Sequence, residues 1–383
     1  MAGPTEAVGA PPAPAPRHGP QRAPEPAREP ALQHAPQHAP QHAPQHAPQH
    51  AAQHAPPGAA AAALARAARW SWAERAFWTL PVLAYFALPQ HLVLLAQIAI
   101  TGLFCLSLDL ILGYAGIVSL GHTAFFGVGA YAAGLLASHG HGDPLLGLAC
   151  AAACAGLLGY ASSFLVLRGS DLTRLMVTLG VAMMLYEAAN KLTDITGGVD
   201  GLSGMELEPL FGRFRFDLVG RTAYIYAVAV LFVLFWLARR LVHSPFGLSL
   251  RGIRLNAGRM PALGTPVNRR LCAIYTVGAA YAGVAGALLA QTTQFVAVDS
   301  LAFPRSAELL LMLVLGGSGN LYGALIGTTV FMVGRNLLAN INPQFWQFWL
   351  GLLLVLIVLF ARDGIVGAAR RLRRRLGGNG PPS

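Results

Sequence analysis

The sequence predicts an all-α, polytopic integral membrane protein with about ten transmembrane helices and a disordered N-terminal tail. Hydrophobic residues make up 55% of the 383 residues and charged residues 11%, with a mean hydropathy of +0.51, whereas soluble domains carry ~25% charged residues. Residues 76–108 and 110–142 contain no Asp, Glu, Lys or Arg, and a spanning helix needs ~20 mainly apolar residues. The net charge of +11 comes from arginines beside apolar segments, which is typical of membrane proteins. We therefore expect contact with membrane lipid and not with nucleic acid.

The chain is predicted to have three parts: a Pro-, Ala-, Gln- and His-rich disordered tail over residues 1–63, a transmembrane domain over 64–368 and a basic C-terminal tail over 369–383. Prolines in the first tail prevent a stable helix. His-rich tracts can bind divalent metals, so the QHAP repeat is a weak alternative metal site. It lacks a carboxylate or Cys that would fix the ligand geometry, and we expect no metal. The repeat contains His34, His38, His42, His46, His50 and His54.

The transmembrane domain divides into apolar segments. Arginines in the connections between them indicate which side of the membrane each connection faces. Residues 239–270 contain seven arginines and no acid, and further arginines flank the first and last segments. By the positive-inside rule, this loop and both termini are cytoplasmic, which requires an even number of crossings. We expect ten, or eight if residues 305–340 are re-entrant or if the pair in 76–112 does not cross twice. The segments are 76–89, 91–112, 113–138, 145–167, 172–193, 222–238, 271–294, 309–315, 321–338 and 345–361.

The rest of the chain is organised around residues 113–136, GYAGIVSLGHTAFFGVGAYAAGLL. Glycines interrupt this charge-free segment, and two polar side chains flank one of them. Such breaks at membrane depth persist only where they face protein or a water-filled path, and small residues let helices approach closely. We therefore predict a broken helix that lines a solute pathway; for the histidine, a packing role is equally open. The pathway residues are predicted to be Ser119, Gly121, His122, Gly127 and Gly129.

The sequence indicates that this chain binds no cofactor and contains no ATPase site. A Walker A site requires GxxxxGK[ST], and Lys191 is the only lysine and follows Ala189-Asn190. Any ATP is therefore used by partner subunits. Residues 244–267 are predicted to begin with a Ser-Pro-Phe-Gly turn and to continue as a short amphipathic helix that ends at Gly264, with one apolar stripe of Ile253, Met260 and Leu263. This basic segment is suited to dock an ATPase; the alternative is a loop facing anionic lipid, which attracts arginines by ~1 kcal/mol each.

Four ionisable residues lie within apolar segments or at their ends: Asp109, Glu187, Glu308 and Arg335. Intramembrane charges are functional candidates by default, but each of these has a structural explanation as well. Asp109 is placed to cap a helix end, and Glu187 lies near Lys191. Glu308 and Arg335 are placed to pair across adjacent segments.

Several strings resemble, in one order over residues 76–365, the permease subunits of branched-chain amino acid (LIV-type) ABC importers. Residues 113–131 resemble the family pattern GYAGQLSLGHAAFFGIGAY, and 282–288 and 306–327 resemble its AGLAGAL and closing glycine-rich runs. Residues 244–267 resemble its ATPase-docking coupling helix, although Leu255 and Ala257 stand where glutamates are usual. The matching positions there include Arg251, Arg254, Asn256, Ala262, Leu263 and Gly264.

The resemblance implies a transmembrane permease subunit of an importer for branched-chain or related amino acids, in the cytoplasmic (inner) membrane of a bacterium. It implies alternating access driven by two cytoplasmic ATPase subunits. It also implies a second homologous permease subunit and an extracytoplasmic solute-binding protein as partners. On this interpretation the chain is a transport subunit and not an enzyme.

Three alternatives remain open. Importers of urea or short-chain amides are similar to the LIV-type class. A stand-alone secondary transporter or channel would also explain glycine-broken helices. A membrane serine protease would need a GxSG motif such as Gly316-Gly317-Ser318-Gly319 together with a histidine, but the GGSGN context predicts a turn.

Overall fold

The computed structural model describes residues 72–209 and 220–341, with short pieces at 212, 214, 343–345, 348–349, 351–352, 355 and 364–367. All of them belong to one compact unit, Gly58–Ser383. The predicted tails at residues 1–63 and 369–383, and most of the predicted last segment at 345–361, lie outside the described residues.

The described part is helical, which confirms the predicted all-α membrane fold. Six of its helices are long and apolar enough to cross a membrane: the continuous helical run Pro89–Tyr114 that contains α2, and α4, α5, α6, α8 and α10 of the following list. The number of crossings, ten or eight, stays a prediction. Helices of eleven residues or more in the described part are α1, Trp72–Ala87; α2, Leu92–Leu108; α3, Thr123–Ser138; α4, Pro144–Val166; α5, Asp171–Lys191; α6, Arg221–Val242; α7, Pro245–Leu255; α8, Val267–Thr293; α9, Phe303–Gly316; and α10, Leu321–Ile341.

Helix α8 is the centre of the bundle, with α3 and α4 packed along it and α2 on a further side. Its small residues allow this close packing. A Cβ at Gly129 of α3 would overlap the backbone of Gly283 in α8, and one at Gly286 would overlap the carbonyl of Phe126. The glycines of the predicted organising segment thus bring α3 into backbone contact with α8.

The helices run between two ends of the bundle. At one end, α7 lies against Tyr114 and the turn between α9 and α10. At the other, the Glu208 amide donates to the Gly142 carbonyl at 3.0 Å, and Leu202 pairs with Val296 in an isolated β-bridge.

Two helices begin inside the bundle. Helices α3 and α9 have 16 and 14 residues, or about 24 and 21 Å at 1.5 Å per residue, less than the ~30 Å hydrocarbon core of a bilayer. Their first turns meet at two buried side chains, where Thr123 Oγ1 lies 2.9 Å from Ser306 Oγ. The Thr123 amide also donates to Ser306 Oγ at 3.1 Å.

Candidate functional site

The break in the organising segment begins as a distortion at the end of α2. Asp109–Tyr114 form a π-helical turn, a form often found at functional sites. Gly116 then adopts a left-handed conformation (φ 75°), and its amide donates to the Leu112 carbonyl at 3.1 Å. This is a helix end that favours glycine. The chain continues without regular structure until α3 begins at Thr123.

His122 lies directly before α3 and is fully buried. Its Nε2 is 2.7 Å from Ser107 Oγ, and the Ser107 hydroxyl donates to the Phe104 carbonyl at 2.5 Å. The tautomer of the imidazole decides which of Nε2 and the hydroxyl donates in this contact. The imidazole stacks on Phe104 with the ring centroids 5.6 Å apart and the planes 9° apart. These contacts support a packing role.

The other predicted pathway residues also lie at helix contacts. Ser119 is 2% exposed. A Cβ at Gly121 would overlap the Thr178 carbonyl of α5, and one at Gly127 would overlap the Leu301 side chain. With Gly129 against α8, the structure places all five residues in the packed interior around the break; their role in a solute pathway stays a prediction.

Two arginines of α7 contact the break directly. The Arg254 guanidinium donates to the Gly113 carbonyl, and its Nη1 lies near Gly319. The Arg251 guanidinium lies 5.4 Å from the centroid of the Tyr114 ring, a cation–π contact. Both side chains therefore point from α7 towards the end of α2.

Asp109 links the same break to the turn between α9 and α10. It is fully buried, and its Oδ1 accepts a hydrogen bond from the Gly319 amide at 2.7 Å. The carboxylate thus caps the turn just before α10, where the helix dipole favours negative charge. Gly316–Asn320 form the predicted turn, with Ser318 exposed. Asp109, Arg254 and this turn together join α2, α7 and the α9–α10 pair.

The predicted helix, which was to follow a turn at residues 244–247 and end at Gly264, is wrong at both ends: α7 already begins at Pro245. α7 ends at Leu255, and a separate 3-10 turn, Pro261–Leu263, leads to Gly264 in a left-handed conformation (φ 76°). Asn256 Oδ1 accepts from the Arg259 amide at 3.2 Å, and this local bond competes with helix continuation.

The predicted apolar stripe is divided for the same reason. Ile253 is 4% exposed and belongs to the core, whereas Leu263 is 76% exposed and Leu255 is 87% exposed. The predicted docking residues Asn256, Ala262 and Gly264 are exposed as well. The segment therefore contacts the bundle through Arg251 and Arg254, which stay partly exposed, and presents an outer surface that is part apolar and part polar.

A cavity of about 500 Å³ lies between α2, α9 and α10, in the half of the bundle away from α7. Glu308 Oε2 and Arg335 Nη1 are 3.9 Å apart, which confirms the predicted pairing; the two side chains are 40% and 47% exposed. The Arg305 guanidinium lies 5.1 Å from the centroid of the Phe126 ring. It interacts electrostatically with Asp299 and Glu308. The wall thus carries two acids and two bases.

Sequence reasoning missed two of these charges. Asp299 and Arg305 precede the apolar segment 309–315, and the sequence alone did not predict them as functional residues. Arg305 precedes Glu308 by three residues, and residues three apart share one face of a helix. That spacing was the available signal for a charged face at the start of α9.

The described residues contain no group of three or more His, Cys, Asp and Glu side chains that could hold a metal ion. The His repeat lies outside them. Glu187 is exposed near the end of α5, close to Lys191 in sequence.

Comparisons with known proteins agree with the architecture. The family model described as "Branched-chain amino acid transport system / permease component" matches residues 91–360. The high-affinity branched-chain amino acid transport system permease protein LivM of Escherichia coli K12 is 30% identical over 292 residues, which cover 69% of this chain and 67% of the relative. A probable LivM of Methanocaldococcus jannaschii is 26% identical over 319 residues, covering 68% and 88%.

A more distant similarity extends to another solute. The autoinducer 2 import system permease protein LsrD of Escherichia coli K12 is 28% identical over 243 residues, which cover 60% of this chain and 68% of the relative. No solved structure matches the chain.

Proposed function

Since this chain belongs to the family of permease components of branched-chain amino acid transport systems, we propose that it forms part of the membrane pathway of an ATP-driven importer for branched-chain or related amino acids. Two ATPase subunits, a second permease subunit and a solute-binding protein complete the importer. The chain itself supplies no ATP chemistry. It lies in the inner membrane with both termini and α7 on the cytoplasmic side, because the arginines of residues 239–270 favour that side.

The observation that best supports this function is the attachment of α7. Leu255 at its end and Leu263 in the following turn are exposed. Arg254 and Arg251 of α7 contact Gly113 and Tyr114 in the π-helical turn that follows α2. A partner that moves α7 therefore acts on the break without an intermediate element. Asp109 transmits the same movement to the α9–α10 turn. A displacement of α7 can therefore reorient the helices that alternate access between the two sides of the membrane.

Coupling requires that the partner distinguishes two states of the permease. A ligand shifts a two-state equilibrium only by its differential affinity for the two states. We propose that ATP-bound ATPases favour one position of α7. The break in α2 and the half-helices α3 and α9 provide segments that can reorient, since discontinuous helices recur at transporter binding sites.

Reconstitution tests this function. The chain is purified with its co-expressed partners in proteoliposomes, and uptake of radiolabelled leucine is followed with and without ATP and the binding protein. We expect uptake only when both are present. Uptake by this chain without any ATPase would contradict the proposal and favour a secondary transporter. ATP-dependent uptake of urea or acetamide in place of leucine would assign the amide class.

A further inference from the structure

The charges of the cavity between α2, α9 and α10 are balanced. Asp299 and Glu308 face Arg305 and Arg335 around one space, so the four side chains carry no net charge when ionised. Charged groups at membrane depth are costly, and they usually pair with one another and mark a substrate path. Glu308 and Arg335 pair at 3.9 Å, and the partial exposure of both side chains leaves their charged groups accessible to a ligand in the cavity.

Aliphatic and aromatic side chains form much of the remaining wall, and Gln97, Thr101 and Asn336 add neutral polar groups. The charged groups lie beside Leu94, Leu309, Met312 and Met332. Small-molecule sites of about 300–1,000 Å³ commonly combine an apolar lining with a few convergent polar groups, and this cavity of about 500 Å³ falls in that range. Methionine side chains adapt to ligands of different shape.

We propose that this cavity is a binding site for the charged backbone groups of an aliphatic amino acid during its passage through the permease. This inference rests on the proposed transport function and adds a solute-contacting site within this chain. Arg305 in the first turn of α9 binds the α-carboxylate, because guanidinium and carboxylate form strong charge-assisted hydrogen bonds and the helix N-terminus adds positive potential. Glu308 and Asp299 bind the α-ammonium group, and the methionines contact the aliphatic side chain.

The charge pattern distinguishes this ligand class from others. A neutral solute such as urea needs no ionised partner, and its passage would gain nothing from two acids and two bases. An anion would leave the acids at positions 299 and 308 unmatched. A zwitterion with an aliphatic side chain matches both the balanced charges and the aliphatic part of the wall.

The test compares transport with coupling in the complete importer. Arg305→Gln and Glu308→Gln are reconstituted with the partner subunits and binding protein, and leucine uptake is measured beside ATP hydrolysis stimulated by the loaded binding protein. We expect leucine uptake to fall at least tenfold, with stimulated hydrolysis within about twofold of the unmodified importer. The control is Asp171→Asn, which removes the exposed acid of an ion pair with Arg174 on α5; we expect it to transport normally.

A charge reversal separates binding from structural support. Glu308→Arg combined with Arg335→Glu restores an ion pair but reverses the charges offered to the ligand. We expect normal assembly without restored uptake. Unchanged uptake in the single variants, restored uptake in the reversal, or an equal loss of assembly, hydrolysis and uptake would each overturn the site. Failure of the proposed function would differ, because the unmodified importer would show no ATP-dependent uptake.

Discussion

At the scale of single residues, buried charges in this bundle are held by partners on other helices. Arg239 of α6 donates to Glu74 of α1 across 2.7 Å, and the two side chains are 6% and 23% exposed. The same guanidinium lies 3.4 Å from the Tyr322 hydroxyl of α10. Removing one member of a buried pair strands the other charge, which costs more than the intact pair contributes. Arg239 thus connects three helices near the end that carries α7.

Glu74→Gln is expected to destabilise the purified chain by about 2–4 kcal/mol, since a buried charge that loses its partner costs roughly 3–5 kcal/mol and the partial exposure of Glu74 reduces this figure. The measurement is a thermal denaturation curve in detergent. Asp171→Asn is the matched control, because its carboxylate is 82% exposed and surface pairs contribute about 0–1 kcal/mol. Equal melting temperatures for the two variants would show that the Arg239 pair does not support the bundle.

At the scale of helices, close backbone contact sets which substitutions α3 tolerates. The α3–α8 contact at Gly129 and Gly283 leaves no space for a side chain. Elsewhere a helical glycine has space: a Cβ at Gly180 of α5 meets nothing within 4 Å in the described structure. Substitutions at Gly129 and Gly180 therefore separate two effects on stability, the effect of packing and the effect of backbone freedom.

Gly129→Ala is expected to destabilise the chain by about 1–3 kcal/mol, the usual cost of overpacking. Gly180→Ala is expected to stabilise it by about 0.5–1 kcal/mol, since alanine loses less backbone entropy in a helix. Both effects are measured by denaturation of the purified chain in detergent. A gain in stability from both substitutions would show that α3 and α8 are not in backbone contact.

A second prediction at this scale concerns the contact of α7 with the break. Arg254→Ala removes the hydrogen bond to Gly113 while leaving the exposed surface of α7 in place. We expect leucine uptake by the reconstituted importer to fall about tenfold, because a hydrogen bond to a charged group contributes about 1.5–3 kcal/mol, while the ATPases still co-purify. Arg168→Ala, an exposed arginine between α4 and α5, is the control. Loss of co-purification would assign Arg254 to docking instead of transmission.

The helices were predictable from the sequence because apolar length and local caps determine them. Asp143 accepts from the Leu145 amide at 2.9 Å and Pro144 occupies the first turn of α4, as expected at a helix start. The cavity was not predictable to the same extent. Arg335 reaches Glu308 only because the turn at Gly316–Asn320 folds α10 against α9. The inward direction of Arg254 likewise depends on contacts with Gly113, 141 positions away in the chain.

At the scale of the whole molecule, we propose different functions for the two ends of the bundle. The end with α7 holds the basic segment and the proposed ATPase contact, and the cavity lies in the other half. ATP-driven import into the cell requires that the α7 end faces the cytoplasm. The charge distribution favours this orientation, since residues 194–208 contain four acids and no Lys or Arg and arginines are retained on the inner side.

Cysteine labelling from one side of the membrane tests that orientation. In a background with the four native cysteines replaced, Asp200→Cys and Arg259→Cys each place one thiol at an exposed position, on the cavity side and the α7 side respectively. We expect a membrane-impermeant maleimide to label position 200 in cells with a permeabilised outer membrane, and position 259 only after the inner membrane is disrupted. The reason is that exposed thiols react as thiolates in water, whereas the inner membrane excludes the reagent. Labelling of position 259 before disruption, with position 200 protected, would place α7 outside and remove its access to cytoplasmic ATPases.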